Sequence, residues 1–221
     1  MLKMRSTKLP VIAAPVGMSI GGGFEVVLHA DHVISHANSV MGLVESFVGV
    51  VPAGGGCKET LYRWADNLGD NHKAAWKSFM NIGLGRRSNS PKEADGLSMR
   101  KRGDVFHMNR DYVLNIALSS LDKTKKSKAR KPLALSGTVH FQEMLQWLTS
   151  NHKKGVLTPH DVTVGTEIAR IVSGGDCPSG SIFTEQDILD AERSSFIALA
   201  QTPETQARIV AMLDNGITLR N

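Results

Sequence analysis

Gly21-Gly22-Gly23-Phe24-Glu25 decides how this chain reads. Residues 10–16 before it are apolar and rich in β-branched side chains, and residues 24–30 after it suit a helix, so the stretch reads as strand, glycine turn and helix start. Three successive glycines leave backbone N–H groups uncovered by any Cβ, and the first turn of a helix aims such unpaired donors outward with a partial positive charge. That is a place to hold a developing oxyanion. Glu25 lies three residues beyond Gly22, about one helical turn on, so its carboxylate can face whatever the Gly22 N–H binds.

Upstream, residues 1–7 read as the end of a helix feeding a strand at residues 10–14. Downstream, residues 31–35 alternate as a strand does, Asn38 and Ser39 turn the chain into Val40-Met41, and a second glycine cluster, Gly54-Gly55-Gly56, opens a helix over residues 58–65. Two strand–glycine–helix units in succession predict an α/β architecture. A helix is expected over residues 71–80, and Ser90-Pro91-Lys92-Glu93 offers a capping box with proline at the first helical position. Beyond Gly103 the pattern is mainly helical: residues 111–121 and 138–149, then three helices begun by the hydroxyl caps Thr158, Thr184 and Thr202, with Gly174 and Gly216 as stops. The stripe Ile188, Ala191, Ser195, Leu199 with Phe196 reads as core. The expected organisation is a glycine-turn core over residues 1–103 and a helical region over 104–221, with a basic linker at about 122–136.

With 221 residues, 41% of them hydrophobic, the chain can bury a core. Its two cysteines, Cys57 and Cys177, are too few for a disulfide framework and lack zinc spacing, so a reducing, cytoplasmic setting is expected. Pro10, Pro15, the glycines and Glu25 interrupt the early apolar region, which therefore does not read as a signal peptide, and no other segment reads as a membrane span. The net charge of +5 is concentrated locally in Lys123, Lys125, Lys126, Lys128, Arg130 and Lys131. Without interleaved aromatics or a nucleic-acid motif, that run reads as a solvated linker, with a phosphorylated ligand such as coenzyme A, or RNA, as the alternative. His29, His32 and His36 form no metal set, since a change from helix to strand falls among them. Packing is the reading for Cys57, and solvated surface for Lys58 and Arg63.

Glu45 follows Glu25 by twenty positions. Pro10-Val11-Ile12-Ala13-Ala14, Gly17, Gly21-Gly22-Gly23-Phe24-Glu25, Asp31, Met41-Gly42-Leu43-Val44-Glu45, Gly49 and Pro52-Ala53-Gly54-Gly55-Gly56 together resemble the enoyl-CoA hydratase (crotonase) family. The resemblance implies that the Gly22 N–H is one donor to a thioester oxygen and that Glu25 and Glu45 are the catalytic carboxylates, with Gly21, Gly23, Gly54 and Gly55 shaping the turns. Hydrating a 2-enoyl thioester needs a polarised carbonyl, a base to activate water at C3 and an acid to protonate C2, and two carboxyls on one water can do both proton transfers. Farther on, Ile171-Val172-Ser173-Gly174-Gly175, Glu192-Arg193-Ser194-Ser195-Phe196, residues 203–208 and Leu219-Arg220-Asn221 resemble the carboxyl end of bacterial fused 3-hydroxyacyl-CoA dehydrogenases of fatty-acid β-oxidation.

In that family the second oxyanion donor and much of the nucleotide pocket come from strands upstream of the glycine triplet, and nine residues precede Pro10 here. The resemblance therefore implies a partial crotonase-like (ββα spiral) core lacking its N-terminal strands. Losing one oxyanion donor costs about 10²–10³ in rate, so weak or no activity alone is expected. No Gly-x-Gly-x-x-Gly follows a strand, so no cofactor is expected on this chain: coenzyme A enters as part of the substrate, and NAD would belong to a dehydrogenase portion outside it. The expected partners are an acyl-CoA thioester and further copies or a complementing crotonase-fold subunit, with neither nucleic acid nor membrane. The alternative is a non-catalytic acyl-CoA-binding or assembly module.

Overall fold

The computed structural model describes residues 1–221. In chain order the elements begin with α1 (Leu2–Ser6), β1 (Ile12–Ala13), β2 (Met18–Ile20), α2 (Gly22–His29), β3 (His32–His36), β4 (Val40–Gly42), a 3-10 turn (Glu45–Val48), α3 (Gly56–Leu68) and α4 (Asn71–Gly83). There follow β5 (Arg87–Ser88), α5 (Pro91–Gly96), β6 (Val105–His107), α6 (Arg110–Ser119), β7 (Leu133–Ala134), α7 (Thr138–Lys153), α8 (Pro159–Ser173), β8 (Ile182–Phe183), α9 (Glu185–Ala200) and α10 (Pro203–Asn215). The architecture is α/β with a mainly helical C-terminal region, as the sequence predicts. No helix is long and apolar enough to cross a membrane.

By their contacts these residues form two compact units, Met1–Leu43 with Arg87–Arg130, and Val44–Arg86 with Lys131–Asn221. In the first, two three-stranded sheets run β1-β3-β6, all parallel, and β2-β4-β5, where β5 is antiparallel to β4. Ile34, Val113 and Ala117 centre one cluster of its core, with Ile12, Ala14 and Ile116 against them. Strand β2, rather than the run at residues 10–16, enters the glycine turn; three residues give too little alternation to read from sequence. The basic run is also not simply solvated: Lys126 Nζ and the Ser127 N–H donate to the buried Asp31 carboxylate at 2.9 and 2.8 Å, Lys126 Nζ donates to Met4 O, and Val11 N–H completes the site on Asp31. Burial raises the Asp31 pKa, but Lys126 and the two backbone donors outweigh it and hold the carboxyl below its ordinary value.

The second unit is helical apart from the hairpin β7–β8. Phe79 on α4 and Trp147 on α7 meet edge to face at 5.6 Å, and Leu61, Ile82, Met144, Val164 and Ile168 are buried. Thr158, Thr184 and Thr202 cap the three helices expected to start at them. Thr158 and Thr184 each form a reciprocal box with the aspartate three residues on, and Thr202 accepts from the Thr205 N–H. In the stripe expected to be core, Ile188 and Leu199 are buried, but Phe196 is 38% exposed because it sits off the face that α9 presents inward. The expected strand at Val40-Met41 forms as β4, and from it the 3-10 turn and an irregular segment lead through Gly54-Gly55 into α3.

Candidate active site

At the end of β2, Gly21 adopts φ 56° and ψ −135°, a conformation open to glycine and costly for a side chain. Its N–H donates to Gly42 O on β4 at 2.9 Å, and its carbonyl accepts from the Phe24 and Glu25 N–H groups, which closes the turn and starts α2. Phe24, Val27 and Leu28 bury one face of α2, while Gly22 and Gly23 stay exposed in the first turn, where no preceding helical carbonyl faces their N–H groups. A Cβ on Gly22 would meet only Glu25 Oε2, at 4.0 Å, and one on Gly23 would meet nothing within 4 Å. Packing of the chain on itself therefore does not demand these two glycines. Glu25 is buried beside them, and its carbonyl accepts from His29 Nδ1–H at 2.7 Å. Gly23→Ala is expected to leave the fold as stable or to raise its stability by about 0.5 kcal/mol through reduced freedom of the unfolded chain; urea unfolding checks this, and a loss above about 1 kcal/mol would contradict the open space at Gly23.

Glu45 stands at the head of the 3-10 turn in the second unit. Its carbonyl accepts from the Gly49 and Val50 N–H groups, Ser46 Oγ donates to Ile82 O at 3.1 Å, and both Glu45 carboxylate oxygens are shielded from solvent. Ser46 and Phe47 of the same turn line a cavity of about 290 Å³ whose walls include Phe79, Trp147, Leu157 and Leu219. The cavity is largely apolar and close to the lower size of small-molecule pockets, about 300 Å³.

The second glycine cluster is occupied by the chain itself. Gly55 N–H donates to Glu192 Oε2 at 2.8 Å and Lys58 N–H to Glu192 Oε1 at 2.6 Å, so a buried carboxylate from α9 fills the positive end of α3. Gly54 and Gly55 thus shape a turn that receives an internal anion. Lys58 and Arg63, expected on solvated surface, are buried. Lys58 Nζ donates to Glu59 and Glu185, both at 2.8 Å, an arrangement that no local pattern reveals because Glu185 lies 127 residues away. Cys57 packs in the interior with its thiol toward Pro52 O. The three histidines diverge: His29 is inside α2, His32 approaches Asp104, and His36 meets Met108 O.

No local pattern in the sequence marks Asp161, Thr205 or Arg208 for a role. Asp161 accepts from Arg208 at 2.9 Å and from Arg220 at 2.6 Å. Burial works to raise its pKa, but Arg220, the Thr158 N–H, Arg208 and the Thr158 hydroxyl prevail and lower it from 3.8 to about 2. Because the folded value is depressed, its contribution is full above the unfolded value near 3.8 and is lost as pH falls through about 2. Acid titration is expected to weaken the fold by about 2 kcal/mol across that window, and Asp161→Asn to flatten that part of the profile. An unchanged profile in the variant would contradict it.

Residues 1–74 match the family model described as enoyl-CoA hydratase/isomerase. The whole chain is 32% identical over 225 residues to a Bacillus subtilis protein named "Probable 3-hydroxyacyl-CoA dehydrogenase", of which it spans 28%. Over 47 residues, 21% of this chain and 18% of the relative, it is 47% identical to a carnitinyl-CoA dehydratase of Salmonella paratyphi B. Among solved structures, an enoyl-CoA hydratase from Rhodobacter sphaeroides superposes with a TM-score of 0.57 at 17% identity, covering 99% of this chain and 65% of that one, a likeness of fold.

Proposed function

We propose, from the premise that residues 1–74 match the enoyl-CoA hydratase/isomerase family, that this chain carries the hydratase chemistry of a β-oxidation 3-hydroxyacyl-CoA dehydrogenase. The reaction is reversible hydration of a trans-2-enoyl-CoA. The Gly22 N–H polarises the thioester oxygen, and Glu25 and Glu45 share the two proton transfers: one carboxylate draws a proton from the water attacking C3, and the other carboxyl delivers a proton to C2. The observation that supports this reading is the exposed pair Gly22 and Gly23 with Glu25 Oε2 4.0 Å from the position of a Gly22 Cβ, a carboxylate near the first-turn N–H groups of α2. The apolar cavity beside the turn of Glu45 suits an acyl chain. The chain spans 28% of the Bacillus relative, and weak or no turnover is the expectation for it in isolation.

A second reading is a non-catalytic acyl-CoA-binding or assembly module that completes another crotonase-fold subunit. It is favoured by the outer positions of β1 and β2 in their sheets, with Leu9 and Met18 largely exposed nearby. Crotonyl-CoA hydration by the 221-residue chain, followed as loss of enoyl-thioester absorbance, separates the two. Under the catalytic reading, Glu25→Gln or Glu45→Gln lowers the rate by about 10²–10⁴. A folded wild type no faster than either variant rejects independent catalysis and turns the search to a crotonase-fold partner.

A further inference from the structure

The 3-10 turn headed by Glu45 is fastened by side chains from the far end of the chain. Thr205 on α10 donates its hydroxyl to Gly49 O at 2.7 Å and is met by His160 Nε2 on α8 at 2.8 Å. The single hydroxyl proton goes to Gly49, so the histidine must donate, which fixes its Nε2–H form. Arg208, one turn along α10, donates to Ser46 O at 3.3 Å. Its other donors reach Asp161, Thr158 and Asn221. All three clamp residues are buried. Gly49 has φ +85°, and a Cβ there would fall 2.7 Å from Thr205 Oγ1 and 3.0 Å from His160 Nε2, so the turn and the clamp are built against one another.

We infer that Thr205, Arg208 and His160 are positioning residues for Glu45, holding the turn so that its carboxylate keeps one orientation. The clamp lies entirely outside residues 1–74, and Thr205 and Arg208 fall within residues 203–208, a stretch that resembles the carboxyl end of the fused dehydrogenases, which gives that stretch a task at the site. An acid–base carboxyl works only within hydrogen-bond reach of its proton, and the backbone carrying it has just four turn residues to hold it there.

The inference rests on the reading of Glu45 as catalytic, so its test avoids turnover. In the full 221-residue chain, amide exchange of Gly49 and Val50 and the carboxyl carbon signal of Glu45, assigned by its loss in Glu45→Gln, are followed by NMR. Thr205→Val is expected to speed exchange at these two amides about tenfold, the worth of one hydrogen bond, and to move the Glu45 titration midpoint, while the amides of α4 and α7 keep their rates. Thr205→Ser, which keeps the hydroxyl, restores both. A folded Thr205→Val with wild-type exchange and midpoint overturns the clamp. Should Thr205→Val not fold, the wild type decides: exchange at Gly49 and Val50 as fast as at exposed amides overturns it, and slow exchange supports it. If crotonyl-CoA hydration shows Glu45→Gln as active as the wild type, the catalytic reading fails separately, whatever the exchange rates show.

Discussion

Arg208→Met is expected to lower the stability of the folded chain by about 3 kcal/mol, near the lower end for breaking a buried ion pair. Methionine keeps much of the volume but none of the donors. Arg208 is 2% exposed and donates to Ser46 O, Thr158 Oγ1, Asp161 and both the side chain and backbone of Asn221. Removing it strands several buried acceptors, each costing about 1–3 kcal/mol if nothing replaces the bond. The loss stops short of the full range because Arg220 still holds Asp161 at 2.6 Å. Urea denaturation measures the effect. A midpoint change worth less than about 1 kcal/mol would mean that water takes over the arginine's bonds, so the interior there would be wetter than the packing shows.

Glu192→Leu is expected to cost about 2–4 kcal/mol, because it orphans the Gly55 and Lys58 N–H groups at the buried start of α3 and removes the negative charge facing that helix end. Glu192→Gln, which keeps one acceptor oxygen, should lose less. Thermal unfolding of the two variants reads the difference. Equal losses would assign the effect to charge alone, and no loss in the leucine variant would show that burying the carboxylate costs as much as its two bonds return.

These two residues mark where reading by pattern runs out. Glu192 and Arg208 both lie in stretches whose likeness to the fused dehydrogenases is visible in the sequence, yet nothing local says what either side chain touches, since their partners Gly55 and Ser46 lie 137 and 162 residues away. Lys58 shows the same limit. In sequence it sits among polar neighbours at a helix start and reads as surface, but Glu185 meets it from the far end of the chain and makes its burial affordable. The basic run is a solvated linker at Lys123, Lys125, Lys128 and Lys131 but not at Lys126, for a related reason: Asp31, isolated in sequence, gathers Lys126 and Ser127 from almost a hundred residues downstream.

What the sequence alone determined is local. A hydroxyl directly before a helical pattern caps it through its own first turn, so Thr158, Thr184 and Thr202 could be placed from sequence, and glycine ends a helix where the backbone turns left-handed, as at Gly174 and Gly216. The glycine turn before Glu25 belongs with these, because its geometry is set within five residues. Strands β2, β5, β6, β7 and β8, each two or three residues long, carry too little alternation to signal themselves and exist because a partner strand lies beside them. The interleaving of the chain into two units, the internal carboxylate on α3 and the clamp on the turn of Glu45 were decided only by the tertiary structure. Each depends on desolvating groups far apart in sequence at one point, and the free energy of that step is a property of the assembled neighbourhood rather than of any window of residues.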